Sequence, residues 1–577
     1  MKTPMWLRLL PILAMTAVAS PAAAEEFAPL YESGSLSGSY LAGRYASRLR
    51  DMDIAAGYFA QALRDDPNNS VLIERTFVLA FSAGDLAQAE ELAVPVLKID
   101  PKHRLAHIVL GLRDFRNKRY ARAADHFRKV DASPVDELTS RLLLAWTAAA
   151  QNRFTDALSE LDKLSKSDYF AVFRNFHSAL IADLLGQKIR AEGFYKKAYE
   201  EAGTSYRVVQ AYGTFLNRIG RKDEAKQLFA RFLETNDDQP FIRAASDALN
   251  AGRPLKPFLT DAAAGMAEAL FSIASWLNDE QTIDAALIYA QLALVAKKDS
   301  EIGQVLLGDI YEDTGRHDKA IEAYDALPRD SILRTKADIE IAVNLQRLER
   351  LDEAIAKIDE LLKKDQDNYD AWVTRADFLR DASRFAEAAE SYTKAIATVP
   401  VVQSKHSVVY YFRGIAYERS NQWEKAESDF RRSLELQPDQ PQVLNYLGYS
   451  MVDKRIHIPE AMEFIRKAVE LRPNDGYIVD SLGWAHFQLR EYDESVKHLE
   501  RAVELRPDDP IINDHLGDAY WRAGRKLEAK FQWQHAKDNK PEPADLARIE
   551  KKLAEGMPPE TPAVSPTTQS EAVKTLN

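Results

Sequence analysis

Small residues recur along the chain every 34 residues, and two amphipathic helical segments separate them in each period. The repeats that begin at Gly476 and Pro510 align without a gap, so that Gly483 matches Gly517 and Ala502 matches Ala536. Two antiparallel helices approach closely only where side chains are small. The pattern therefore predicts a series of helical hairpins, each too small to bury its own apolar face and stable only when stacked on its neighbours.

The period can be followed through most of the chain by one central alanine or serine in each unit. These residues number about fourteen and are Ala55, Ala89, Ala123, Ala157, Ala191, Ala225, Ala286, Ala320, Ala354, Ala388, Ala426, Ala461, Ser495 and Ala529. A second small residue stands about twelve positions before nearly all of them, and seven units close with a proline such as Pro507. Proline ends a helix, so each unit closes where the chain must turn into the next hairpin.

This combination of two small residues and a closing proline, repeated every 34 residues, resembles the tetratricopeptide repeat family. The resemblance covers nearly all of the region between Ser35 and Pro541. It implies an all-α fold, an α-solenoid of about 14 helix-turn-helix units wound into a right-handed superhelix. It also implies that the first helix of each unit lines a concave face.

One interval is irregular and suggests two blocks of repeats. The spacing between Ala225 and Ala286 is 61 residues, and the intervening segment contains Gly252, Pro254 and Pro257. We expect about six units over 35–237, an irregular helical linker over 238–266 and about eight units over 267–541. A degenerate repeat and a hinge are both compatible with the linker. A lead segment over 25–34, a capping helix over 542–556 and a Pro/Ser/Thr-rich disordered tail over 557–577 complete the prediction.

The first residues resemble a secretory signal. Lys2 and Arg8 form a basic region, an apolar stretch follows, and three alanines end at Ala24. We expect a signal peptide over 1–24, cleavage after Ala24 and a soluble exported product, periplasmic in a Gram-negative cell. An uncleaved anchor is the alternative, although the apolar stretch is only about half of the ~20 residues needed to cross a bilayer.

Composition narrows the possible functions. The 577 residues include no cysteine, which excludes disulfides, thiolate metal sites and the lipid-modified cysteine of a lipoprotein. The net charge of −12 disfavours a broad nucleic-acid-binding face. Motifs for phosphate binding, serine hydrolysis and zinc proteolysis are missing, so we expect neither an enzyme nor a cofactor. His103 and His107 are four residues apart, but no third ligand accompanies them and no metal site is expected.

The family resemblance places repeat positions 2, 5, 9 and 12 on the concave face. In the last units these positions carry carboxylates among aromatic and polar side chains, namely Asn445, Tyr449, Tyr477, Asp480, Trp484, Phe487, Asp514, Asp518 and Trp521. The carboxylates would repel a peptide C-terminus, so a carboxylate clamp is disfavoured. We expect this face to bind a basic or backbone-donating segment of a protein.

The same positions in the first block are apolar and predict a second groove. They are Leu112, Phe115, Leu142, Trp146, Phe173 and Phe176. If exposed, they form a partner-binding patch. The alternative is that they belong to the ordinary core between helices, where aromatic residues at helical spacing are common.

A closer resemblance concerns the run from Val443 to Leu489, the motif INDHLGDAYWRAG after it, and the segment Gly265–Leu277. They look like exported repeat adaptors that partner carboxyl-terminal processing proteases. The resemblance implies a scaffold that brings peptidoglycan hydrolases to such a protease. Because the chain has no cysteine, the resemblance does not imply the lipid tether of those adaptors.

Two other functions are alternatives to the adaptor. One is a structural subunit of an envelope or export assembly. The other is a glycan binder that stacks sugars on Tyr449, Tyr477, Trp484 and Trp521. The oligomeric state stays open.

Overall fold

A computed structural model describes residues 35–49, 51–130, 133–166, 170–236 and 239–559. The predicted signal peptide, the lead segment over 25–34 and the tail from residue 560 onward lie outside the described residues. Within the described residues the regular structure is entirely helical, with thirty α-helices and no strand. The all-α solenoid predicted from the 34-residue period is confirmed.

The first twelve helices form six consecutive hairpins. Their bounds are α1 Leu36–Arg48, α2 Met52–Asp65, α3 Ser70–Ala83, α4 Leu86–Ile99, α5 Arg104–Arg116, α6 Tyr120–Phe127, α7 Pro134–Ala149, α8 Phe154–Asp162, α9 Ala171–Leu184, α10 Lys188–Ala202, α11 Tyr206–Arg218 and α12 Lys222–Leu233. The single helix α13 (Pro240–Asn250) follows.

Eight further hairpins and a last single helix complete the described chain. Their bounds are α14 Ala262–Leu277, α15 Ile283–Ala296, α16 Glu301–Asp313, α17 His317–Asp325, α18 Arg334–Arg347, α19 Leu351–Lys364, α20 Tyr369–Asp381, α21 Phe385–Ala397, α22 Ser407–Arg419, α23 Trp423–Leu436, α24 Pro441–Asp453, α25 Ile458–Leu471, α26 Gly476–Gln488, α27 Tyr492–Leu505, α28 Pro510–Arg522, α29 Lys526–Asp538 and α30 Pro543–Glu555. No described helix is long and apolar enough to cross a membrane.

The turn between hairpins is specified locally. At the start of α28 the Asp509 carboxylate accepts hydrogen bonds from the backbone N–H groups of Ile511 and Ile512, and Pro510 occupies the first helical position. These are the residue types that begin helices, because the first turn has free N–H groups and proline has none to lose.

In several hairpins a glycine of the first helix makes room for a large side chain of the second helix. A Cβ atom on Gly213 of α11 would lie 2.3 Å from Phe229 of α12, and one on Gly517 would lie 2.4 Å from Trp533. Phe229 and Trp533 are fully buried. The glycines therefore set the distance between the two helices of a hairpin.

This packing makes opposite predictions for two glycines of neighbouring helices. Gly213→Ala should lower the free energy of unfolding by about 1–3 kcal/mol, because its new methyl group overlaps the buried Phe229 ring. Gly193→Ala on α10 should raise it by about 0.5–1 kcal/mol, because a Cβ there meets open space and alanine favours the helix. Thermal unfolding measures both. Equal changes in the two variants would contradict the hairpin geometry.

The chain divides into two compact units between Arg350 and Leu351. The sequence places the break over 238–266 instead, where the structure has α13, a non-helical segment over 251–261 and the start of α14. The difference arises because α14 and α15 pack against α3, α5, α7 and α9. The helices after the irregular segment thus belong to the N-terminal unit up to Arg350.

Candidate functional site

The predicted apolar groove of the first block is occupied by the chain's own hairpin α14–α15. Trp146 on α7 is fully buried, and its ring lies so close to Gly265 of α14 that a Cβ there would be 2.1 Å away. The Trp146 indole N–H also donates a hydrogen bond to His177 Nδ1, at 3.2 Å. Burial lowers the pKa of His177 to about 3, so this histidine is neutral and acts as an acceptor.

Polar contacts fix the hairpin in the groove. Arg207 on α11 and Glu268 on α14 form an ion pair with an Nε to Oε1 distance of 2.9 Å, and only 2% of the Glu268 side chain is exposed. A second polar contact joins α7 to α15, where the Thr139 and Tyr289 hydroxyl oxygens are 2.7 Å apart. These contacts join α11 to a residue 61 positions away in sequence and α7 to a residue 150 positions away.

The expected second partner-binding groove is therefore corrected. Five of its six side chains are buried and the sixth is half-buried; the six are Leu112, Phe115, Leu142, Trp146, Phe173 and Phe176. Phe173 packs edge-to-face on Trp276 of α14, and Phe176 packs on Phe258 just before it. Helix α15 is buried on nearly every side. The patch is internal core because α14 and α15 have almost no polar face to turn toward water.

The two histidines noted in the sequence have structural contacts. His103 accepts a hydrogen bond from Ala106 N and begins α5. His107 is buried, with its Nδ1 2.9 Å from His126 Nδ1 and its Nε2 2.9 Å from the Pro101 carbonyl oxygen. Both rings of the close pair have lowered pKa values, chiefly because burial disfavours the charged form.

In the C-terminal unit, the first helices α24, α26 and α28 pack side by side and form one surface. We call the surface at repeat positions 2, 5, 9 and 12 of α22, α24, α26 and α28 the first-helix face. Its centre is the half-buried Trp484, whose ring is stacked with His515 at a centroid distance of 3.9 Å and with Phe487 at 4.7 Å. This aromatic cluster crosses from one repeat to the next.

His515 links the aromatic cluster to a carboxylate. Its Nδ1 lies 3.0 Å from Asp480 Oδ1, and Asp480 is buried. Burial alone would lower the pKa of His515, but the charges of Asp480, Asp518 and Asp514 outweigh it and raise this pKa above its ordinary value. The Asp480 carboxylate therefore already has a partner within the chain.

The other two predicted carboxylates are also neutralised internally. Lys552 on α30 places its ammonium 2.8 Å from Asp514 and 2.7 Å from Asp518. Arg548 lies 3.0 Å from Asp514, and the Trp533 indole N–H donates to Asp518 at 2.9 Å. Both carboxylates are buried.

The expectation that Asp480, Asp514 and Asp518 form an open site for a basic segment is therefore wrong. Their charges pair with His515, Lys552 and Arg548, because α30 brings two cations against the last repeat. Trp521 is likewise half-buried beneath this helix, where it packs near Met557 and Trp533.

The two exposed side chains of the first-helix face carry no charge. Tyr477 on α26 is 45% exposed and Val408 on α22 is 44% exposed, and the two occupy the same position of their repeats. Tyr449 is half-buried, and burial raises its pKa to about 12. The half-buried Asn445 donates a hydrogen bond to Ser481 Oγ at 3.1 Å.

Comparison with family models agrees with this architecture. A model described as TPR repeat matches residues 483–524, and models described as tetratricopeptide repeat match residues 76–137, 304–327, 339–401 and 407–440. The chain contains tetratricopeptide repeats. The matched segments lie in both compact units and overlap the hairpins that the 34-residue period predicts.

Curated relatives share the tetratricopeptide repeats over part of their length. A TPR repeat-containing protein of Pseudomonas aeruginosa is 28% identical over 141 residues, which are 24% of this chain and 23% of that protein. Human tetratricopeptide repeat protein 13 is 23% identical over 223 residues, which are 36% of this chain and 25% of that protein. The chain thus spans about a quarter of the length of each.

The solved structures that the chain matches are distant in sequence. The APC/C hetero-tetramer Cut9–Hcn1 aligns over 90% of this chain and 96% of the solved chain, with 16% identity and a TM-score of 0.37. Yeast Tom70 aligns over 90% of this chain and 95% of its own, with 15% identity and a TM-score of 0.32.

The sequence predictions missed the residues that fill the N-terminal groove and those that neutralise the carboxylates of the first-helix face. Arg548 and Lys552 lie beyond the last tetratricopeptide repeat, so no repeat position signals them. The hairpin α14–α15 did carry a signal, because its two helices are apolar around nearly their whole circumference. Such a pattern indicates a helix surrounded by protein.

Proposed function

We propose that this protein is a non-enzymatic scaffold that binds a partner protein through the first-helix face of its C-terminal unit. The observation that supports this surface most is the exposure of Tyr477 and Val408, which occupy the same repeat position on α26 and α22. The N-terminal groove is filled by α14–α15, and it offers no comparable apolar surface to a partner.

The chemistry of the face favours an apolar or uncharged segment of the partner. The three carboxylates already pair with cations of the same chain, so a basic segment would have to displace Lys552 or His515. Exposed aromatic side chains supply contact area at low entropic cost. A glycan is less well supported, because His515 and Phe487 both stack on Trp484, the central aromatic side chain of the face.

The finer form of the proposal concerns location and partners. We propose that the mature chain begins at Glu25 in the periplasm and presents cell-wall hydrolases to a carboxyl-terminal processing protease. The signal-like first 24 residues support the location, and the resemblance of the last repeats and of Gly265–Leu277 supports the partners. A structural role in an envelope or export assembly is the second candidate, and the same repeats support it.

Affinity capture from the organism's own envelope extract tests the surface. Residues 25–577 are the bait, and Val408→Ala with Tyr477→Ala is the test variant. We expect at least about a tenfold loss of the main partner in mass spectrometry, because two exposed apolar contacts are removed. The matched control is Ile189→Ala with Val71→Ala, two exposed apolar side chains of the N-terminal unit, which should capture normally.

The identity of the captured proteins separates the two functions. A carboxyl-terminal processing protease or cell-wall hydrolases, with hydrolase levels that rise when the gene is deleted, would establish the adaptor. Export or envelope-assembly subunits alone, with unchanged hydrolase levels, would establish the structural role. Equal capture by the test variant and the control would overturn the first-helix face as the binding surface.

A further inference from the structure

The last hairpin departs from its neighbours at two exposed positions. Leu527 and Phe531 stand two residues before and after the buried Ala529, on the outer side of α29. In the four preceding hairpins these positions are exposed and hold small or polar residues, proline or charge: Asp493 and Lys497, Pro459 and Glu463, Glu424 and Ser428, Ala386 and Glu390. Only the last hairpin of the C-terminal unit presents two large apolar side chains there.

Neither side chain contributes to the described core. Leu527 is 68% exposed and Phe531 is 61% exposed, whereas Ala529, Trp533 and Ala536 of the same helix are buried. The four-residue spacing places Leu527 and Phe531 one above the other on the helix surface. They form a ridge of the kind that packs against a second helix.

Positive charge runs beside this ridge. Lys530 is exposed and makes no ion pair among the described residues, and the exposed Lys526 has its ammonium 5.2 Å from the Trp521 ring centroid. Glu528, the one acidic residue between them in sequence, is paired with Arg525 at 3.0 Å. The apolar ridge therefore lies beside two lysines that make no ion pair among the described residues.

We propose that the outer surface of α29, formed by Lys526, Leu527, Lys530 and Phe531, is a second docking site that binds an acidic amphipathic helix of a partner protein. The partner's apolar side chains would cover Leu527 and Phe531, and its carboxylates would face the two lysines. Charge complementarity selects this occupant. A second copy of the chain would bring the same lysines into opposition, and like charges disfavour that pairing.

This site goes beyond the proposed function and is separate from it. It lies on a second helix of a repeat, whereas the first-helix face lies on α22, α24, α26 and α28. One protein with two such surfaces could hold two partners at once. The variant Val408→Ala with Tyr477→Ala should bind normally at α29, so failure of one surface is distinguishable from failure of the other.

Fluorescence anisotropy with a designed peptide tests the proposal on the full mature chain. The probe is an amphipathic helix of about 20 residues with leucines on one face and glutamates beside them. We expect Leu527→Ser with Phe531→Ser to weaken binding about tenfold or more. The matched control is Asp493→Ser with Lys497→Ser, at the same repeat positions of α27, and it should bind like the parent.

A charge exchange makes the test specific. Lys526→Glu with Lys530→Glu should lose the acidic peptide and gain a version in which lysines replace the glutamates. Added salt should weaken binding of the acidic peptide to the parent. Equal binding of both peptides to the parent, or no effect of either variant, would overturn the proposal.

Two further outcomes would assign the ridge to another occupant. If the chain self-associates in sedimentation velocity and Leu527→Ser with Phe531→Ser abolishes this, the ridge is a contact between copies. If only a chain that ends at Pro559 binds the peptide, residues 560–577 of the same chain cover it. Either result would overturn the proposal that a partner helix docks on α29.

Discussion

Glu268→Ala should be the most damaging single substitution among the polar residues of the N-terminal unit. The change removes the carboxylate that pairs with Arg207 and leaves a guanidinium enclosed between α11 and α14. Breaking a buried ion pair on one side typically costs about 3–5 kcal/mol. Hydrogen exchange of the α14 amides under increasing urea would measure the loss directly at the hairpin.

Two further variants distinguish this loss of stability from the general effect of removing a charge. Glu387→Ala breaks the exposed pair with Arg384 and should change stability by no more than about 1 kcal/mol. Arg207→Met with Glu268→Leu removes both charges and should recover most of the lost stability, because apolar side chains can replace a buried pair. A loss in Glu268→Ala no larger than in Glu387→Ala would mean that the hairpin is not held in the groove by this pair.

Lys552→Ala should have the second largest effect, in the C-terminal unit. Without its ammonium, Asp514 keeps an ion pair with Arg548, and Asp518 keeps only the hydrogen bond from the Trp533 indole N–H. We expect a loss of about 3–5 kcal/mol in the stability of α28 to α30 at neutral pH. The control is Lys537→Ala, which breaks the partly exposed pair with Glu550 and should cost about 1 kcal/mol or less.

The deficit of Lys552→Ala should shrink as the pH falls. Burial and the charge of Asp514 raise the pKa of Asp518, and Lys552 opposes them, so its removal raises this pKa further. The folded variant then binds protons at a higher pH than the unfolded chain, and acidification favours the folded state relative to the parent. Urea unfolding of parent and variant at pH 8 and pH 5 would measure this, and an unchanged difference would contradict the pairing.

Local features of the sequence predicted the hairpins well. In several hairpins a glycine of the first helix and a large side chain of the second lie sixteen residues apart, as with Gly213 and Phe229, so one period contains both packing partners. Such contacts lie between neighbouring helices, and periodicity is informative at that range.

The contacts that decide which surfaces are free were not predictable in this way. Thr139 and Tyr289 are 150 residues apart, and neither position differs from those of an ordinary repeat. Lys552 lies outside the repeats, so the sequence predicted a helix there without predicting where its cations point. The repeat pattern identifies a face, but only tertiary packing determines whether that face meets water or another part of the same chain.

The hairpin α14–α15 also determines how the protein must be made. The first twelve helices are synthesised before the hairpin α14–α15 that fills the groove between them. Trp146 and its apolar neighbours are therefore exposed on a nascent or translocating polypeptide until α15 emerges. Repeat arrays normally tolerate stepwise growth because each unit needs only its neighbour. Here the early repeats depend on residues far downstream, so a chain that ends after α13 should need a chaperone or aggregate. We therefore expect that single N-terminal repeats can neither be deleted from this protein nor transferred into another one.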